Sequence, residues 1–128
     1  MIKHLVTILS AVGIAGCNLC DNKPIKSLQS ADENRSAVLF MRECGATTDF
    51  TTQVSVLSPW WPYYAIGNAF VADADQGKAE RASWGGPWAD ISWQSPTHLV
   101  ITYDARSRVF EKRTEVRGVR ITYRPVRR

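Results

Sequence analysis

Between Ile25 and Tyr123 short segments with apolar residues at alternate positions dominate, and no long helical period appears. This constrains the chain more than any other feature. A period of two puts apolar side chains on one face of an extended strand, whereas a helix repeats its apolar stripe every three or four residues. Segments 25–30, 36–42, 51–57 and 66–72 are predicted as strands. Segment 36–42 is apolar on both faces (Val38 and Phe40; Ala37, Leu39 and Met41), which predicts a central strand. Ala89, Ile91 and Trp93 alternate with Asp90 and Ser92. Leu99, Ile101 and Tyr103 alternate with His98, Val100 and Thr102, after a turn at Ser95-Pro96-Thr97. Segments 109–116 and 119–123 read as a hairpin around Arg117-Gly118. The expectation is an all-β domain of about seven or eight strands, a small antiparallel sandwich or open barrel. At 128 residues and 45% hydrophobic, with thirteen aromatics, the chain is sized for one domain and too apolar for a disordered segment.

The first twenty residues follow a different rule. Lys3 is a basic head, residues 5–15 are apolar except Thr7 and Ser10, and small residues precede Cys17. That is the pattern of a secretory signal helix, too short to span a bilayer. Ile14-Ala15-Gly16-Cys17 resembles the lipobox of bacterial lipoproteins. The resemblance implies a signal peptide over 1–16, a thioether-linked lipid on Cys17 and a single mature β domain over 17–128. One acyl chain binds a membrane marginally, while two or more hold a protein there stably. Position 18 is Asn rather than the Asp that retains such proteins at the inner membrane, so the resemblance favours the outer membrane. In the cell envelope the expected partners are the membrane itself, through the anchor, and an envelope protein or anionic envelope polymer. Nucleic acid is not expected there.

With Cys17 assigned to lipid, Cys20 and Cys44 remain, and an exported chain meets an oxidising compartment. A Cys20–Cys44 disulfide is the expected outcome. The rival reading makes Cys44 a nucleophile, but the mature chain offers one histidine, His98, as its base. Because Cys20 is three residues from Cys17, at most ~11 Å of chain, a disulfide at Cys20 predicts a body held close to its anchor.

The segments Cys17-Asn18-Leu19-Cys20, Arg42-Glu43-Cys44-Gly45-Ala46-Thr47-Thr48 and Thr52-Gln53-Val54-Ser55-Val56 resemble an uncharacterised family of small bacterial lipoproteins. Gly67-Asn68-Ala69-Phe70-Val71-Ala72-Asp73 and Arg108-Val109-Phe110 fit the same family. The Cys-Gly-Ala-Thr-Thr run is the most specific part. The resemblance supports the fold unit, the disulfide and the anchor, and it carries no activity.

Chemistry is thinly signalled. His98 lies at a strand start with no Gly-x-Ser-x-Gly elbow elsewhere, so a surface histidine is expected rather than a triad member. Asp73-Ala74-Asp75-Gln76-Gly77 faintly echoes a calcium loop, but Glu80 comes too early for the distal ligand, and a solvated turn is the expectation. No metal or other cofactor is expected. Glu43, Asp49, Asp73, Asp75 and Asp90 are available for a hydrolytic carboxylate pair, which spacing alone does not place in one cleft.

Two surface features stand out. All five Trp, with Tyr63, Tyr64 and Phe70, fall between residues 60 and 93. Either the tryptophans cap one end of the core, or Trp60, Trp61, Tyr63 and Tyr64, stiffened by Pro59 and Pro62, form an exposed tip suited to a bilayer interface or a protein partner. From Asp104 to Arg128 nine Lys or Arg face three Asp or Glu, a net of +6. Arg120 and Arg124 share one face of the last strand, able to meet phosphates or an acidic partner, or to serve as a solvated face that discourages edge pairing. The sequence thus predicts a membrane-anchored envelope lipoprotein acting as a non-enzymatic binding module. A small envelope hydrolase and a structural or stress lipoprotein without a specific ligand are the alternatives.

Overall fold

A computed structural model describes residues 20–45, 48–61 and 65–128. The expected signal helix, the lipobox and Cys17 lie outside the described residues, as do Tyr63 and Tyr64.

Nine strands form among the described residues: β1 (Asp21–Gln29), β2 (Ser36–Glu43), β3 (Thr51–Leu57), β4 (Phe70–Asp73), β5 (Ala89–Ser95), β6 (His98–Asp104), β7 (Arg108–Lys112), β8 (Glu115–Val116) and β9 (Val119–Val126). They make a five-stranded sheet, β1-β2-β3-β4-β7, and a four-stranded sheet, β5-β6-β9-β8. The two sheets pack as a sandwich, and the all-β expectation holds. Leu39, Val54, Val56 and Phe70 of the first sheet meet Ile91, Leu99, Ile101, Val119 and Ile121 of the second in one buried cluster. Phe70, Tyr103 and Tyr123 stack within it, with ring centroids 5.2–6.4 Å apart.

β2 is central, as its double-sided apolarity requires. Its second face, with Val38 and Phe40, joins Leu57 in a separate buried cluster on the outside of the first sheet. The chain after β3 folds back over this face. The Gly67 amide donates to Gln53 Oε1 at 2.7 Å, and Gln53 lies opposite Phe40 in the β2–β3 register. A Cβ at Gly67 would stand 2.9 Å from the Val54 carbonyl oxygen, so the close approach needs glycine.

Three expectations are revised. The predicted strand 66–72 begins only at Phe70, and Ile66 is 64% exposed. The Asn68 side chain takes the place of backbone pairing, accepting from the Val56 amide and donating to its carbonyl. The predicted strand 109–116 is two strands in different sheets: β7 pairs with β4 and β8 pairs with β9. The chain changes sheet at Arg113-Thr114, where the Tyr123 hydroxyl sits 3.0 and 2.7 Å from the carbonyls of Ala69 and Arg113. Lastly, β6 and β9 run parallel, so the second sheet is mixed.

Segment 74–88, which links β4 to β5, is built from internal turns. Ala74 and Ala79 are fully buried. The Ala74 carbonyl accepts from the Gly77 and Ala79 amides, and Arg81 forms a bridge to Pro87.

Candidate functional site

Cys20 and Cys44 are joined by a disulfide, 24 positions apart. It ties the start of β1 to the end of β2, whose last residues pair as Asp21 with Glu43. The sandwich therefore has a stapled end. The starts of β3 and β5 and the ends of β6 and β9 lie there too, since Thr51 pairs with Arg42, the Thr52 hydroxyl donates to the Pro87 carbonyl, and Asp104 pairs with Val126. The opposite end carries the β1–β2 turn and the β8–β9 turn, joined by the Arg35 guanidinium donating to the Arg117 carbonyl.

The aromatic residues divide between the two readings. Trp84, Trp88 and Trp93 are partly buried. Trp84 Nε1–H donates to Thr52 Oγ1, Trp93 Nε1–H donates to the Leu28 carbonyl, and the Arg128 guanidinium lies 4.1 Å from the Trp88 ring centroid. Trp60 and Trp61 are different, 77% and 53% exposed. Their rings meet edge-on at 6.1 Å, and the Trp61 amide closes a turn onto the Ser58 carbonyl. This turn follows Leu57, which pairs with Ser36 at the end remote from the disulfide. At about 3.3 Å per residue, the seven residues of β3 put roughly 20 Å between the aromatic pair and the stapled end.

Arg120 and Arg124 project outward from β9, as expected, beside Thr122. The parallel register sets Arg120 against His98 and Arg124 against Thr102. His98 Nε2 lies 2.7 Å from Thr122 Oγ1, and Arg120 Nη2 lies 3.3 Å from His98 Nδ1. With the guanidinium donating to Nδ1, the ring proton sits on Nε2 and is directed to the Thr122 hydroxyl. Both ring nitrogens thus face outward-sheet partners, and neither faces a carboxylate or cysteine.

The calcium-like segment is occupied by an ion pair. Asp73, at the end of β4, is buried, and Arg108 of β7 grips it with two hydrogen bonds, Nε to Oδ1 at 3.1 Å and Nη2 to Oδ2 at 2.6 Å. The expected solvated turn is accordingly half right: Asp75 and Gln76 adopt positive φ in a tight turn, but the first carboxylate is inside. Burial alone would push the Asp73 carboxyl up. The Arg108 hydrogen bonds, the Asp75 amide and the positive charges of Arg108 and Arg81 outweigh it and hold the group below its ordinary value. Arg81 Nη2 bridges both oxygens of Asp49 at 3.2 and 3.1 Å. These pairs line a concavity of about 600 Å³, with Thr48, Thr51, Gln76 and Phe110 completing its wall. Among the described residues no three His, Cys, Asp or Glu converge as a metal-binding group.

The sequence assigns no site role to Arg81, Arg108 or Phe110. Arg108 meets Asp73 from 35 positions away, and only the β4–β7 pairing reveals the match. No protein-family model, curated protein or solved structure matches this chain.

Proposed function

We propose that this chain is a lipid-anchored envelope protein, acylated at Cys17, whose β domain is a non-enzymatic binding module that engages an envelope protein through Trp60 and Trp61. The exposed aromatic pair carries this reading. Burying a tryptophan removes ~150–250 Å² from water, at about 25 cal/mol per Å². Two such rings left in solvent on a stiff Pro59 turn favour a partner that covers them. Their place, roughly 20 Å along β3 from the stapled end, favours a protein surface away from the leaflet over the leaflet itself. The outward arginines of β9 supply a second, electrostatic contact. The carboxylates Asp49 and Asp73 are each engaged by a guanidinium, which favours binding over hydrolysis.

The test uses the full chain expressed in a bacterial envelope. Mass spectrometry of the mature N-terminus should find diacylglyceryl-modified Cys17; an intact Met1 or an unmodified Cys17 overturns the anchor. Crosslinking should capture a protein partner that is lost in W60S/W61S, while that variant keeps its disulfide and its urea midpoint. Equal capture by the variant overturns the aromatic contact.

A further inference from the structure

We propose that the stapled end carries a saccharide-binding strip, running from Phe110 past the two Arg–Asp pairs to Trp84 and Trp88, that takes the pyranose units of a neutral oligosaccharide. Four observations lead there. First, the concavity lined by Asp49, Asp73 and Arg108 adjoins a second one of about 290 Å³ lined by Trp84, Trp88 and Arg128, and Arg81 lines both. The two depressions therefore meet at Arg81, with Phe110 in the wall of the first and Trp84 and Trp88 in the wall of the second.

Second, the polar groups along it are planar and held in place. The Arg108 side chain is 48% exposed over an Asp73 side chain that is 6% exposed, and Arg81 is similarly open over Asp49. The Asp73 carboxylate fixes the Arg108 plane through Nε and Nη2, and Asp49 holds Arg81 through Nη2. Preorganised groups of this kind lose little freedom on binding. Third, the charges of the first concavity are matched in pairs, and the second holds one of each sign, Glu80 and Arg128. A phosphate or carboxylate ligand would compete with Asp49 or Asp73 for its arginine. A neutral hydroxyl does not: it accepts from the guanidinium, or donates to the carboxylate, with the ion pair intact. Thr48, Thr51 and Gln76 add further neutral donors and acceptors.

Fourth, Phe110 is 57% exposed on the edge strand β7, with the Arg108 guanidinium 5.1 Å from its ring centroid. Nothing in the core requires this ring. A pyranose has an apolar C–H face and a hydroxyl rim, so a ring beside planar polar groups matches both surfaces. At the other end Trp88 repeats the pairing of ring and guanidinium, with Arg128 at 4.1 Å, and Trp84 lines the same concavity with its indole N–H fixed by Thr52. The inference stands on this strip and is independent of the anchor and of Trp60–Trp61.

The full chain in detergent, with its disulfide intact, is titrated with chitotetraose and with maltotetraose, and inorganic phosphate serves as the anionic probe. The readout is the NMR signal of the Trp84 and Trp88 indole N–H groups, assigned by single Trp→Phe variants. A saturable shift with at least one tetrasaccharide, at a Kd of roughly 0.1–1 mM, and a tenfold or greater loss in F110A support the site. F110A alters only a surface ring, so its urea midpoint and its capture through Trp60–Trp61 should match the parent. Absence of any shift with both tetrasaccharides overturns the proposal. So does equal affinity in F110A, or saturable binding of phosphate at these indoles.

Discussion

Thr52 and Trp84 are joined across 32 positions: the indole N–H donates to the fully buried Thr52 hydroxyl at 2.9 Å, and that hydroxyl donates to the Pro87 carbonyl at 2.6 Å. One oxygen thus pins segment 74–88 to β3. Thr52→Val keeps the shape and removes the hydroxyl, leaving a partly buried N–H and a carbonyl without this partner. The expected cost is about 2–3 kcal/mol, against about 1 kcal/mol for Thr52→Ser, which loses only a methyl group. Urea unfolding of both variants checks the order. If valine proves as stable as serine, the hydroxyl is not the pin.

The disulfide closes a loop of about 25 residues, which in the chain-entropy account contributes about 3–4 kcal/mol. Reduction, or Cys44→Ser, should lower the urea midpoint accordingly. Hydrogen exchange should quicken first in β1, an edge strand paired on one side with β2. Exchange that quickens uniformly would show that the staple acts on the unfolded chain alone and gives β1 no local support.

Arg120→Ala combined with Arg124→Ala should weaken retention on an anionic matrix at low salt. The difference should shrink as ionic strength rises past about 0.1 M, where the screening length falls to ~10 Å. Both side chains are exposed, so the unfolding midpoint should move by no more than ~0.5 kcal/mol equivalents. Unchanged retention at low salt would remove β9 as a contact surface.

Asp73 makes acid sensitivity specific. Its folded-state carboxyl titrates below its ordinary value of 3.8, so its stabilisation is complete above the unfolded-state value and fades as pH falls through the folded one. Asp32 is shifted the same way, by the Ser30 hydroxyl first and the Asn34 amide second. The parent should lose stability as pH drops below about 4. Asp73→Asn should be less stable at neutral pH and show a shallower acid slope. Parallel slopes would mean that Asp73 is not linked to folding.

Much of the fold is legible in the sequence because burial writes itself into local pattern. The two apolar faces of 36–42 state that something covers both sides of β2, and a sheet core and a returning loop do so. Period two, however, reports which way side chains point and never which strand lies alongside. Residues 109–116 hold no glycine or proline to mark the change of sheet at Arg113-Thr114, and the parallel match of β6 with β9 has no local signature. The same limit hid the strip. Asp73 looks like an exposed turn residue until Arg108 arrives from a distant strand. Conversely, Trp60 and Trp61 had two readings because hydrophobicity alone does not distinguish a ring kept for the core from one kept for a partner.

The place of β9 has a consequence for how the molecule comes into being. It is the last strand in chain order, yet it occupies an interior position in its sheet, between β6 and β8. Until residues 119–126 are in place, Leu99 and Ile101 lack the neighbour that completes their layer, and the folding chain can only wait as an unfinished half. A nonsense codon a dozen positions upstream of Arg128 would therefore cost far more than a frayed tail, for it would withdraw the wedge that shuts the hydrophobic interior.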